Sequence, residues 1–144
     1  MDAENVTRLR RVIGRLARLL NAAPVSENLT PTQASVLALV AHRAPIGMTE
    51  LAEIEGLNPT MLSRVVAKLV DDGLARRLPN PNDQRAVQLE ATDRGRVVHE
   101  RIIAARTATV GQILDSLSPD VTDALRNALP ALEALAEGLR TQKS

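Results

Sequence analysis

Apolar residues recur at helical spacing in several stretches of this chain and alternate with polar ones in a single short segment. Val6, Leu9, Ile13, Leu16 and Leu20 fall three or four residues apart, with Arg8, Arg11, Arg15 and Arg18 on the other side. That pattern predicts an amphipathic helix, ending before Pro24. At Thr30-Pro31-Thr32-Gln33 a capping threonine, a proline at the first helical position and a capping-box glutamine coincide, so a second helix starts there. It carries Val36, Leu37, Leu39 and Val40 and stops near Ala44-Pro45. Asn21–Asn28 reads as a linker between the two, and the chain shows no internal repeat or low-complexity segment.

The middle of the chain is denser in signals. Thr49 is placed to cap a short helix, Glu50 to Glu55, ended by Gly56, and Asn58-Pro59 then opens another that reaches Asp72 and closes at Gly73. Two helices joined by a tight glycine turn predict a helix-turn-helix. On the second of these helices Leu62, Val65, Val66 and Leu69 form an apolar stripe, while Thr60, Ser63, Arg64, Ala67 and Lys68 project opposite. Directly after it, Ala75–Leu78 and Ala86–Ala91 read as strand arms around Pro79, Asn80, Pro81, Asn82 and Asp83, which predicts a hairpin with a loop longer than two residues. A two-stranded ribbon is marginal in water by itself, so this one leans on the helical body or has work of its own. Thr92 then caps a long helix through Val97, Val98, Ile102, Ile103, Val110, Ile113 and Leu114, and Ser118-Pro119 starts a last one bearing Val121, Leu125, Leu129, Leu132, Leu135 and Leu139. Pro130 is expected to kink that last helix, because proline removes a backbone donor and clashes with the preceding turn.

The fold class is therefore mainly α with a small β-hairpin wing: a winged helix-turn-helix flanked by further helices. Small, hydroxylic and basic side chains on the second helix of the motif suit a major groove. A wing beside it would bring Arg85 to a minor groove, whose narrow geometry deepens the negative potential. Asp83, two residues earlier, is expected to brace that arginine through a charge-assisted pair. The candidate DNA contacts are Thr60, Ser63, Arg64 and Lys68 on the helix and Arg76, Asp83 and Arg85 on the hairpin.

Composition narrows the choice. With 144 residues, 44% of them hydrophobic, the chain is one domain's worth of sequence with a real core. A net charge of +1 means that any nucleic-acid site arises from local segregation of charge. Lys68 and Lys143 are the sole lysines, and arginine is the residue suited to forked contacts with phosphate and guanine. The absence of Phe, Trp and Tyr counts against single-strand binders, which stack bases on aromatic rings, and leaves double-stranded DNA. Cysteine is also absent, which excludes disulfides and thiolate metal sites. No apolar run reaches membrane-spanning length, so a cytoplasmic protein without membrane contact is expected.

Met48 to Gly95, MTELAEIEGLNPTMLSRVVAKLVDDGLARRLPNPNDQRAVQLEATDRG, resembles the MarR (multiple antibiotic resistance regulator) family of bacterial winged-helix repressors. Asp83-Gln84-Arg85 matches that family's acidic-x-Arg wing and Leu89–Gly95 its strand-to-helix exit, and the flanking helices agree in number and order. The resemblance implies a homodimer with intertwined first and last helices, residues 1–29 and 101–144, and a DNA-binding lobe over residues 30–100. It also implies a repressor of an inverted-repeat operator, released by a small anionic aromatic effector held where the two regions meet. Candidate walls for that effector are Leu16, Leu20, Leu37, Val40 and Ile102 or Ile103, with Arg15 or His42 as anion partners. Missing cysteine removes the oxidant-sensing branch of the family.

Two other readings compete. The terminal helices carry more aliphatic surface than one winged lobe can cover; a dimer would bury it, but a helical bundle within one subunit would as well. The whole could also be a helical interaction module without DNA affinity. An enzyme is the weakest class: no nucleotide loop, HExxH or serine elbow is present, and His42 and His99 fall on different helices. No cofactor or metal is expected.

Overall fold

The computed structural model describes residues 1–22 and 28–142; most of the linker expected at Asn21–Asn28 lies outside them. In chain order the elements are α1 (Ala3–Ala22), α2 (Pro31–His42), β1 (Ile46–Gly47), α3 (Met48–Glu55), α4 (Pro59–Asp71), β2 (Ala75–Asn80), β3 (Asp83–Ala91), α5 (Asp93–Ser116) and α6 (Pro119–Thr141). They divide into two compact units, Met1–Arg106 and Thr107–Ser144, with α5 running from the first into the second. No described helix is long and apolar enough to cross a membrane.

Local chemistry sets the helix ends. Gln33 N–H donates to Thr30 Oγ1 at 3.1 Å, and Thr30 N–H donates to Gln33 Oε1 at 3.0 Å, the reciprocal box expected at the start of α2. Asn58 Oδ1 accepts Met61 N–H at 2.8 Å and caps α4. Gly56 and Gly73, with φ of 65° and 73°, end α3 and α4 in the left-handed region. Thr92 Oγ1 accepts Gly95 N–H at 3.0 Å and donates to the Gly73 carbonyl at 2.6 Å, so one hydroxyl caps α5 and ties it to the end of α4. The start of α3 differs from expectation. Gly47 is its N-cap, without a side-chain bond, and Thr49 lies inside the first turn; pairing of β1 with β3 fixes the chain's entry and makes the threonine cap unnecessary.

The wing is also larger than its sequence suggested. β2 and β3 run to Asn80 and from Asp83, leaving only Pro81 and Asn82 as the turn. The turn residues expected in a long loop are absorbed into the ladder by a register shift between Pro79 and Asn80, and Asn80 Oδ1 accepts Asn82 N–H at 2.9 Å to close the end. β1 pairs antiparallel with the other edge of β3, Ile46 opposite Leu89, giving the order β1-β3-β2.

The first unit holds the core. Val36, Leu37 and Val40 of α2, Ile46, Leu51 of α3, Leu62, Val66 and Leu69 of α4, and Leu89 are at most 1% exposed, each contributing about 1.5–3 kcal/mol through burial. At Gly95 a Cβ would lie 1.9 Å from the Leu74 carbonyl oxygen, so α5 crosses the start of β2 with backbone against backbone. α1 and α6 bury no residue. In the second unit α6 runs unbroken through Pro130, and Leu114, Leu117, Leu125 and Leu129 line an open groove of about 680 Å³ beside it.

Candidate nucleic-acid interface

The polar face of α4 is displayed because its apolar face is consumed by the core. Leu62, Val66 and Leu69 are buried, whereas Thr60, Ser63, Arg64 and Lys68 are all exposed. Asn58 and Pro59 shape the exposed helix start: Pro59 carries no N–H and Asn58 takes that of Met61, which leaves the helix dipole to favour a nearby phosphate. Arg64 has no ion-pair partner among the described residues. Lys68 reaches Asp72 one turn on, at 3.2 Å, a surface pair of the kind worth about 0–1 kcal/mol.

Register sorts the wing's basic residues onto two faces. Arg76 stands opposite Glu90 and Arg77 opposite Leu89, and residues opposite each other in an antiparallel pair share a face. Arg76 Nε bonds Glu90 Oε1 at 2.8 Å on the face away from the core. Arg77 lies on the face of the buried Ala75, Leu89 and Ala91, whereas Arg85 falls between Asp83 and Val87, where the register shifts. The face of Arg77 is the one the helices pack on, and Arg77 and Arg85 are both exposed. Arg77 was missed in the sequence reading because two adjacent arginines look equivalent until the register assigns each a side.

Asp83 does not brace Arg85 through its guanidinium. Its Oδ1 accepts the Arg85 backbone N–H at 2.9 Å, an Asx-type contact that shapes the turn and leaves the Arg85 side chain unpaired among the described residues.

The candidate effector residues are less unified. Leu37, Val40 and Ile102 belong to the core, at 0%, 0% and 3% exposure, while Arg15, Leu16 and Leu20 lie exposed along α1 and Ile103 is 45% exposed on α5. His42 is exposed and meets His99 of α5, with their Nε2 atoms 3.1 Å apart. Arg106 of α5 was not anticipated: its Nη2 bonds the Asn21 carbonyl at 3.5 Å, and its buried Nε has no hydrogen-bond partner among the described residues.

A helix-turn-helix displaying a polar, basic second helix, with an arginine-tipped wing beside it, defines a DNA-binding regulator by class. The MarR family model matches residues 29–87. An HTH-type transcriptional regulator of Mycobacterium leprae is 31% identical over 127 residues, covering 88% of this chain and 89% of that protein. Among solved structures, the multiple antibiotic resistance repressor MarR superposes with a TM-score of 0.73 at 25% identity, over 96% of this chain and 95% of its own. PcaV of Streptomyces coelicolor, solved with its natural ligand, gives 0.58 at 28% identity, over 89% and 91%. The chain belongs to the MarR family of transcriptional regulators, DNA-binding proteins with a winged helix.

Proposed function

We propose that this protein is a homodimeric repressor that reads an inverted repeat in double-stranded DNA, with α4 in the major groove and the wing at the adjacent minor groove. The observation that carries this reading is the side-selective display of Ser63 and Arg64 on α4, together with Arg77 on the helix-facing side of the wing and the exposed Arg85 near its tip. Arg76, held by Glu90, contributes charge near the backbone rather than a base contact, and Asp83 acts by shaping the turn. Lys68 and Thr60 supply phosphate contacts at the two ends of the exposed helix face.

Residues 30–100 form the DNA-binding lobe, and residues 1–29 and 101–144 the dimerisation region. Support comes from the aliphatic surface each unit leaves uncovered: Leu16, Leu19 and Leu20 on α1, and Leu125, Leu129 and Leu139 on α6, are 43–60% exposed. The likeness to the multiple antibiotic resistance repressor MarR supports the sign of control. The ligand complex of PcaV supports release by a small molecule. In this chain the open surfaces for an anionic aromatic acid are Arg15, Leu16 and Leu20 of α1 and Ile103 of α5, with Arg106 and His42 as anion partners. Leu37, Val40 and Ile102 would back such a site from the core.

Selection of bound fragments from sheared genomic duplex by the purified protein tests the reading. Recovery of a shared inverted repeat, bound with a salt-sensitive affinity, is the expected result. A helical interaction module without DNA affinity would enrich no sequence and show no salt-sensitive duplex binding.

A further inference from the structure

The chain contains two histidines, 57 positions apart, and the fold brings them together. His42 ends α2; His99 lies in the second turn of α5 and is 7% exposed. Their Nε2 atoms are 3.1 Å apart, with ring centroids at 5.0 Å and planes at 87°. Such a bond needs one ring to donate and the other to accept, so it exists only while at least one ring is neutral. With both rings protonated, two N–H groups confront each other and one of the two charges is buried.

Among the described residues, the groups acting on His99 are His42 of α2 and Glu100 and Arg106 of α5. Burial, then the His42 and Arg106 charges, hold the His99 imidazole below its ordinary range, with Glu100 opposing them. A base whose pKa is lowered by folding binds its proton better in the unfolded chain. Its contribution is therefore complete above the ordinary imidazole value of about 6.5 and is lost as pH falls below it.

We propose that the His42–His99 pair is a proton-operated latch, closed between α2 and α5 at neutral pH and opened by mild acid, which weakens DNA binding when it opens. α2 packs in the same core as α4 and β3, so releasing α5 from its end loosens the lobe that presents the recognition surface. The DNA-binding half of this inference rests on the reading proposed above; the latch itself does not.

Imidazole C–H resonances of the full-length protein, followed by NMR from pH 8 to 5, test the latch directly. With two histidines, the His42→Gln variant assigns both. Glutamine at the exposed position 42 can still donate or accept but cannot titrate. The expected result is a His99 midpoint below about 6.5 that moves upward in His42→Gln, as the opposing charge disappears. Two independent curves at the ordinary value, each unaffected by the other's replacement, would overturn the latch.

Affinity for the selected inverted-repeat duplex at pH 7.5 and 5.5 then tests its consequence. Wild type should lose affinity between the two pH values by a larger factor than His42→Gln/His99→Gln does. Equal factors, with both proteins folded by thermal melting, would overturn the link to DNA binding. If no duplex is bound at any pH, the regulatory reading fails while the NMR titration still decides the latch.

Discussion

Gly95 and Gly56 are both glycines at a chain junction, yet they are required for different reasons. At Gly56 the backbone is left-handed, but a Cβ would meet nothing within 4 Å, so Gly56→Ala should cost about 1–2 kcal/mol of backbone strain alone. At Gly95 the φ is unexceptional, but a methyl group would collide with the Leu74 carbonyl, and neither backbone can yield without moving α5 off β2. Gly95→Ala should therefore cost more than about 3 kcal/mol, read as the difference in urea unfolding midpoints. A ranking with Gly56→Ala as the more damaging change would contradict this packing.

The wing arginines give a residue-scale prediction for function. Arg77→Ala and Arg85→Ala should each lower duplex affinity and reduce the slope of log affinity against log salt by about one unit, whereas Arg76→Ala, whose charge is already paired with Glu90, should change that slope less. Arg64→Ala should instead relax base preference, by about 1–3 kcal/mol of discrimination at one position. Competition binding against duplexes with single base changes separates the two effects. A uniform loss across all sequences in Arg64→Ala would place that side chain on phosphate.

At the scale of elements, the capping residues are what made the helices readable. Thr30, Asn58 and Thr92 announce helix starts through short side-chain bonds to backbone N–H groups three residues on, and these bonds are local in sequence. Asn58→Ala should cost about 1 kcal/mol. Thr92→Ala should cost more, since the same hydroxyl also holds the Gly73 carbonyl; thermal melting of the pair checks the order. What sequence could not show is set by pairing across the chain. β1 is two residues long, too short for any alternation, and exists because β3 has a free edge beside it. The wing's length was hidden because Pro79 and Asn80, turn formers by type, are held in β2 by the register shift. The side on which Arg76 and Arg77 fall, and the meeting of His42 with His99, likewise depend on partners 12 to 57 residues away.

For the whole molecule, the division between buried and exposed apolar surface is the main argument. The core of the first unit closes without α1, which buries no residue, so removing Met1–Ala22 should leave a folded lobe while abolishing the dimer. Sedimentation velocity should show the intact chain as a dimer at micromolar concentration and the truncated chain as a monomer with weak duplex binding. A truncated monomer that binds duplex with full affinity would sever dimerisation from DNA reading. Binding at the proposed effector surface, saturating salicylate-like acid should weaken duplex binding roughly 5- to 150-fold with the dimer intact. This requires the ligand to prefer the DNA-incompetent arrangement, since equal affinity for both states shifts nothing.

In the proposed complex, two copies of α4 and its wing read one duplex about a two-fold axis. Hydroxyl-radical footprinting of the intact protein on a selected duplex tests it most directly. Two symmetric protected patches, centred about one helical turn or roughly 34–36 Å apart and appearing together as protein is added, are the expected result. A single protected patch, filled by one protomer with full affinity, would contradict it.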